Sequence, residues 1–241
     1  MEYFYIILFV IAFLYAAVGH GGASGYLALM ALYHIAPEEM KPTALLLNLF
    51  VSGISFFQYY RGKHFLWKTF LPFALGSIPF SFLGGMIILD GSIYKKILGF
   101  LLLLPVARLL FFPNPKEGEM KSQNFYLSLL IGASIGLISG MIGIGGGIIL
   151  SPVLLLLKWT NQKQTAAISA LFIFVNSISG LAGQFTKGII FNSEMLSYVL
   201  VALFGGILGA YFGAWRFNQT IIKNLLRTVL FLAAAKLIIG G

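Results

Sequence analysis

Long apolar runs dominate this chain, and the polar positions between them are few and clustered. No Asp, Glu, Lys or Arg occurs between Glu2 and Glu38, nor between Lys121 and Lys158. A spanning helix needs about 20 apolar residues, so each gap has room for more than one membrane element. Turn and charge signals divide the sequence into about ten apolar elements, at 3–18, 23–35, 43–60, 69–89, 93–112, 124–142, 148–159, 164–182, 194–215 and 219–239. The runs lack the alternation of barrel strands. In lipid only helices and closed barrels satisfy their own backbone. The pattern therefore predicts an all-α integral membrane protein. No Lys or Arg precedes the first run, unlike a secretory signal, so that run is read as the first helix of the mature protein.

One stretch breaks the pattern. "FPNPKEGEMKSQ", Phe112 to Gln123, carries two prolines, a glycine and mixed charge, the marks of an aqueous loop. It divides the chain into a first transmembrane repeat over 1–112, a polar linker over 113–123 and a second repeat over 124–241. Five elements lie on each side. The halves also match in order. "GHGGAS" from Gly19 aligns with "GIGGGI" from Gly143, "KPTA" from Lys41 with "KQTA" from Lys163, and "LGSIPFSFLGG" from Leu75 with "FGGILGAYFGA" from Phe204. "YKKILGFLLLLPVARLLF" from Tyr94 aligns without a gap to "IKNLLRTVLFLAAAKLII" from Ile222. An odd number of spans per half makes the second copy enter from the opposite side, an inverted repeat. With the N-terminus outside, only Lys41, Lys95, Lys96, Lys187 and Lys236 of the 16 Lys and Arg lie at the outer face. The positive-inside bias thus favours both termini outside a multi-pass cell-membrane protein.

The Gly-rich breaks raise the functional question. Each precedes a short element, Ala23 to Ile35 in one half and Ile148 to Trp159 in the other. Helices of that length reach less than about 20 Å, whereas the hydrocarbon core is about 30 Å thick. Each Gly turn is therefore expected below the membrane surface, with its helix starting inside. A helix N-terminus exposes unpaired N–H groups and a partial positive charge, and glycine lets a ligand approach the backbone. Two such starts, at Gly19, His20, Gly21 and Gly22 and at Gly143, Gly145, Gly146 and Gly147, would hold an anion near the midplane without a buried cation. Other glycines, at Gly84, Gly85, Gly205, Gly206 and Gly209, read as close-packing positions. "GIGGG" lacks the Lys-Ser/Thr of a P-loop and follows no strand, so nucleotide binding is not supported.

Polar residues inside the runs complete the candidate site. Asn48, Ser52 and Ser55 share one helix face. Ser169, Ser177, Ser179 and Gln184 lie around Asn176 in the second half. Buried amides and hydroxyls face partners or a cavity, and they suit an oxyanion. Thr43 and Thr165 match through the repeat and read as N-terminal helix caps. His20 stands where the second copy has Ile144, as a local hydrogen-bonding residue or as a proton carrier or anion donor. His34 and His64 have no metal partners nearby in the sequence.

Composition narrows the classes. The chain has 241 residues, 59% hydrophobic and 10% charged, with no cysteine. The charged fraction is far below the roughly 25% of a soluble domain. The net charge of +9 fits orienting loops rather than nucleic acid, since no dense basic run with interleaved aromatics occurs. Thiol chemistry and disulfides are excluded. All seven acidic residues fall in or beside loops. A carboxylate proton relay, a charged cation site and an aspartyl protease therefore lack their residues. Only His20 is available for a Ser–His pair, and no surrounding motif supports one. Neither an enzyme, a cofactor nor a metal site is expected. An anion channel, or a sensor or scaffold that moves nothing, remains as an alternative to a carrier.

At the paired motifs "GHGGASG" and "GIGGGIILSPVLL", the following "KPTALLLN" and "KQTAAISALFIFVNS", and the late "GGILGAYFGA", the chain resembles the sulfite exporter TauE/SafE family over nearly its whole length. The first motif departs from the second in having His20 and no proline at the position of Pro152. The resemblance implies a membrane transporter, an exporter by the family's name, of sulfur-containing anions such as sulfite, thiosulfate or organosulfonates. The expected partners are a small anionic substrate and the bilayer. The coupling ion (a proton or another) and the oligomeric state stay open.

Overall fold

The computed structural model describes residues 2–33, 35–90, 93–94, 97, 100–101, 120–188, 193–218, 220–221 and 224–225. Eight α-helices lie among them, and no strand: α1 (Glu2–Ala17), α2 (Ala23–Leu32), α3 (Pro37–Arg61), α4 (Trp67–Gly85), α5 (Phe125–Ile142), α6 (Gly147–Leu156), α7 (Gln162–Phe185) and α8 (Ser193–Tyr211). A single π-helical turn, Phe212–Arg216, prolongs α8. Most of the expected runs 93–112 and 219–239, and most of the linker, lie outside the described residues. Among the described residues four segments are long and apolar enough to cross a membrane: Pro37–Arg61, Phe125–Ile142, Gln162–Phe185 and Glu194–Arg216.

Local chemistry explains the helix starts. Pro37 occupies the first turn of α3, with Glu38 and Glu39 beside it. Proline costs no hydrogen bond there, and acids favour the positive helix end. At α7, Asn161 and Gln164 form a reciprocal capping box, each side chain bonding the other's backbone N–H at 3.0 Å. Both helices therefore begin before the threonines expected to cap them. Thr43 lies within α3 and donates to the Glu39 carbonyl at 2.6 Å. Thr165 lies within α7, its hydroxyl 2.7 Å from that of Thr160.

Packing runs across the two halves of the chain. α4 lies along α5, and α1 along α8. Small residues let these backbones touch. A Cβ at Gly76, Gly132, Gly136 or Gly140 would collide with the facing backbone of Leu129, Phe73, Ser77 or Ser81. Along the other seam Gly205, Gly209 and Gly213 press on the carbonyls of Phe9, Phe13 and Ala17. α3 and α7 pack together at the centre, α3 also against α8 and α7 against α4. The short helices α2 and α6 rest on α3 and α7 respectively. Large apolar side chains such as Leu71, Leu75, Leu83, Leu130, Leu200 and Phe204 point outward, as a lipid-facing surface requires.

Candidate functional site

Both Gly motifs break the chain inside the protein. After α1, a buried turn through Gly19 (φ +77°) leads to Gly22 (φ +96°), which opens α2. After α5, Gly143 (φ +86°), Gly145 (φ +73°) and Gly146 (φ +77°) lead into α6. A side chain is strained at these φ values. Each short helix has 10 residues, about 15 Å of rise. Each loop also rests on the opposite half: a Cβ at Gly19 would strike the Ala166 backbone of α7, and one at Gly143 would lie 3.2 Å from Lys41 Cα of α3. The loops share two neighbours. A Cβ on either Gly21 or Gly145 would meet both Asn48 and Ile173.

Asn48 ties the loops together. Its Oδ1 accepts from the Ala23 N–H at 3.1 Å, and its Nδ2 donates to the Ile144 carbonyl at 3.3 Å. The first of these bonds caps α2 from a neighbouring helix, taking one of its orphan donors. Ser52 donates to the Asn48 backbone carbonyl at 2.5 Å, and Ser55 likewise bonds backbone, at Val51. At the start of α6 no side-chain acceptor is present among the described residues.

The remaining expected residues divide. Ser177 is fully buried, and its hydroxyl has no partner among the described residues. It lies beside the second loop, 3.2 Å from where a Cβ on Gly145 would stand. Asn176 faces α4 instead: its Nδ2 donates to Ser77 at 3.0 Å and to the Phe172 carbonyl at 2.8 Å. That leaves Asn176 an unpartnered carbonyl oxygen, an acceptor and not a donor. Gly147 opens α6 against Ile173.

His20 is 3% exposed and connects the first loop to the second half. Its Nδ1 lies 3.1 Å from the Val18 carbonyl and its Nε2 lies 3.0 Å from the Ser151 hydroxyl of α6, which is 2.7 Å from that of Ser169 of α7. Sequence reading missed Ser151, Ser139 and Tyr15. Ser139 is buried next to Gly146 with no hydroxyl partner, and Tyr15 accepts from Ser24 at 2.8 Å. Two of them carried a signal: Ser139 and Ser151 are the polar residues flanking "GMIGIGGGIIL" within an apolar run.

The electrostatics of the interior are those of neutral dipoles. Among the described residues no Asp, Glu, Lys or Arg is buried, and no group of three His, Cys, Asp or Glu is placed to hold a metal ion. Such an interior presents N–H and O–H donors and no charged side chain.

The family model for sulfite exporter TauE/SafE matches residues 4–237. The chain belongs to the TauE/SafE family. It is therefore a member of a membrane transporter family and not an enzyme. TauE/SafE relatives span bacteria and archaea. The chain is 35% identical over 237 residues to probable membrane transporter protein y4hK of Sinorhizobium fredii, covering 97% of this chain and 96% of that protein. It is 30% identical over 244 residues to probable membrane transporter protein MJ0441 of Methanocaldococcus jannaschii, covering 93% and 89%. It is 26% identical to probable membrane transporter protein YunE of Bacillus subtilis, covering 86% and 83%. No solved structure shows a significant match to this TauE/SafE chain.

Proposed function

We propose that this TauE/SafE protein exports small sulfur-containing anions, such as sulfite, thiosulfate or organosulfonates, across the cell membrane. The observation that carries the proposal is the meeting of two buried Gly loops, each opening a short helix, at the shared neighbours Asn48 and Ile173. Helix starts and neutral donors in a region without buried charge suit an anion. The binding residues proposed are Gly19, His20, Gly21 and Gly22 of the first loop, Gly143, Gly145, Gly146 and Gly147 of the second, and Asn48, Ser52, Asn176 and Ser177 around them.

Movement follows from the architecture proposed for the chain, a five-plus-five inverted repeat with both termini outside. Its support lies in the packing. Exchanging the halves turns the α4–α5 contact into α8–α1, and α4–α7 into α8–α3, and both members of each pair occur. Rocking one half against the other would open the loops to each face in turn. His20 is the one imidazole among the buried polar residues described and is the candidate if a proton is the coupling ion.

Reconstitution in liposomes tests this. Uptake of sulfite, thiosulfate, sulfate and a sulfonate is measured with and without a proton gradient. Saturable, counter-transported flux of a sulfur anion is expected. A current rising linearly with voltage would instead make the protein a channel, and absence of any flux or binding would leave a sensor or scaffold.

A further inference from the structure

The two Gly loops break the chain at matching points but have unequal polar surroundings, and the inequality points to where the anion sits. The start of α2 is occupied by the protein's own groups. Asn48 Oδ1 already accepts the Ala23 N–H, and the Tyr26 ring covers Gly22, its hydroxyl 2.6 Å from a Cβ built there. The Tyr26 hydroxyl is itself buried without a partner among the described residues, one such group at the start of α2; the start of α6 has two, from two different helices. Two hydroxyls beside its loop, on Ser139 and Ser177, are buried without a partner among the described residues, and both residues are 0% exposed. They come from different helices, α5 and α7, and flank consecutive loop residues. Ser177 Oγ lies 3.2 Å from a Cβ built on Gly145, and Ser139 Cβ lies 3.4 Å from one built on Gly146. A buried hydroxyl without a partner destabilises a fold, and nearly all such groups find one.

We propose that the Ser139 and Ser177 hydroxyls, with the first N–H groups of α6, form the oxyanion-binding part of the anion site proposed above, on the side of the second Gly loop. This rests on the anion-transport reading above. The site takes an oxyanion with several oxygens in a compact head, one for each donor direction. All donors are neutral, so the anion is bound without an opposing buried charge and is released without breaking an ion pair. The missing side chains at Gly145 and Gly146 let Asn48, Ser177 and Ser139 come up close to the loop backbone.

Sulfite is the probe, with affinity and unfolding midpoint measured on the purified protein in detergent. Ser139→Ala and Ser177→Ala are each expected to weaken sulfite binding about tenfold or more. Neither should lower the unfolding midpoint without sulfite, because each removes a hydroxyl that has no partner. Ser81→Ala is the contrast: its hydroxyl donates to the Asn176 carbonyl at 2.9 Å, so the midpoint should fall and the affinity should hold. Unaltered sulfite affinity in both S139A and S177A, with binding intact in the parent protein, would overturn this site alone. A parent protein that binds no sulfite, thiosulfate or sulfonate would overturn the transport reading and the site with it.

Discussion

The loops at Gly19–Gly22 and Gly143–Gly147 break the chain at matching points and start helices of equal length, yet their chemistry differs. In the first, Asn48 fills the helix start and His20 reaches across to Ser151. In the second, Ile144 replaces the histidine and supplies a backbone carbonyl to Asn48, while Ser139 and Ser177 stand unpaired. The comparison teaches that glycine sets the path of a broken helix and its neighbours set what the break binds. One loop is tied by the Asn48 amide, and the other lies beside two hydroxyls without partners among the described residues.

Blocking the loops should give the largest effects. Gly145→Val would force a β-branched residue to φ +73° with its Cβ 2.7 Å from Asn48 Nδ2. Loss of sulfite uptake and a stability loss of about 3 kcal/mol or more are expected from strain and clash together. Gly21→Val meets the same Asn48 and Ile173 without the positive φ, so it should destabilise less. Unfolding of both variants in detergent ranks them, and the reverse order would break the comparison.

Next in size is the joint itself. Asn48→Ala strands the Ala23 N–H and the Ile144 carbonyl at once, a cost of about 1–3 kcal/mol. Asn176→Ala also loses two hydrogen bonds but removes an unpaired oxygen, so it should cost less. Equal losses in denaturant unfolding would mean that Asn48 does not join the loops. The smallest effect expected is Ser151→Ala, about 1 kcal/mol, because His20 Nε2 loses one hydrogen bond. Imidazole nitrogen shifts in NMR should move in that variant and stay fixed in Ser52→Ala, whose hydroxyl bonds only its own helix.

The sequence made the breaks legible because glycine clusters inside apolar runs have few other uses. The same holds for the missing acids and for most element positions. Helix starts were misread at Thr43 and Thr165. A threonine at the edge of an apolar run looks like a cap, whereas Pro37 and the Asn161–Gln164 box lie in polar stretches where several residues compete for the role. The site was legible as a set of types and illegible as a set of bonds. Helical spacing places Asn48 and Ser52 on one face but does not reveal that Asn48 pairs with residues 25 and 96 positions away. Ser139 and Ser151 were passed over because isolated serines are common in membrane helices and bond their own backbone.

The seam between α4 and α5 also constrains how the protein is made. α4 is synthesised in the first half, but the surface that covers Gly76 and Gly84 comes from Leu129 and Leu137 in the second. When the ribosome has finished α4, its small-residue face has only lipid to touch. The same holds for α1, which waits for Gly205, Gly209 and Gly213 near the end of the chain. Neither half can reach its final packing while it emerges. Folding of the first-made helices is therefore deferred until the last-made ones have entered the bilayer, and a ribosome stalled before α8 leaves an incompletely packed chain for quality control to recognise.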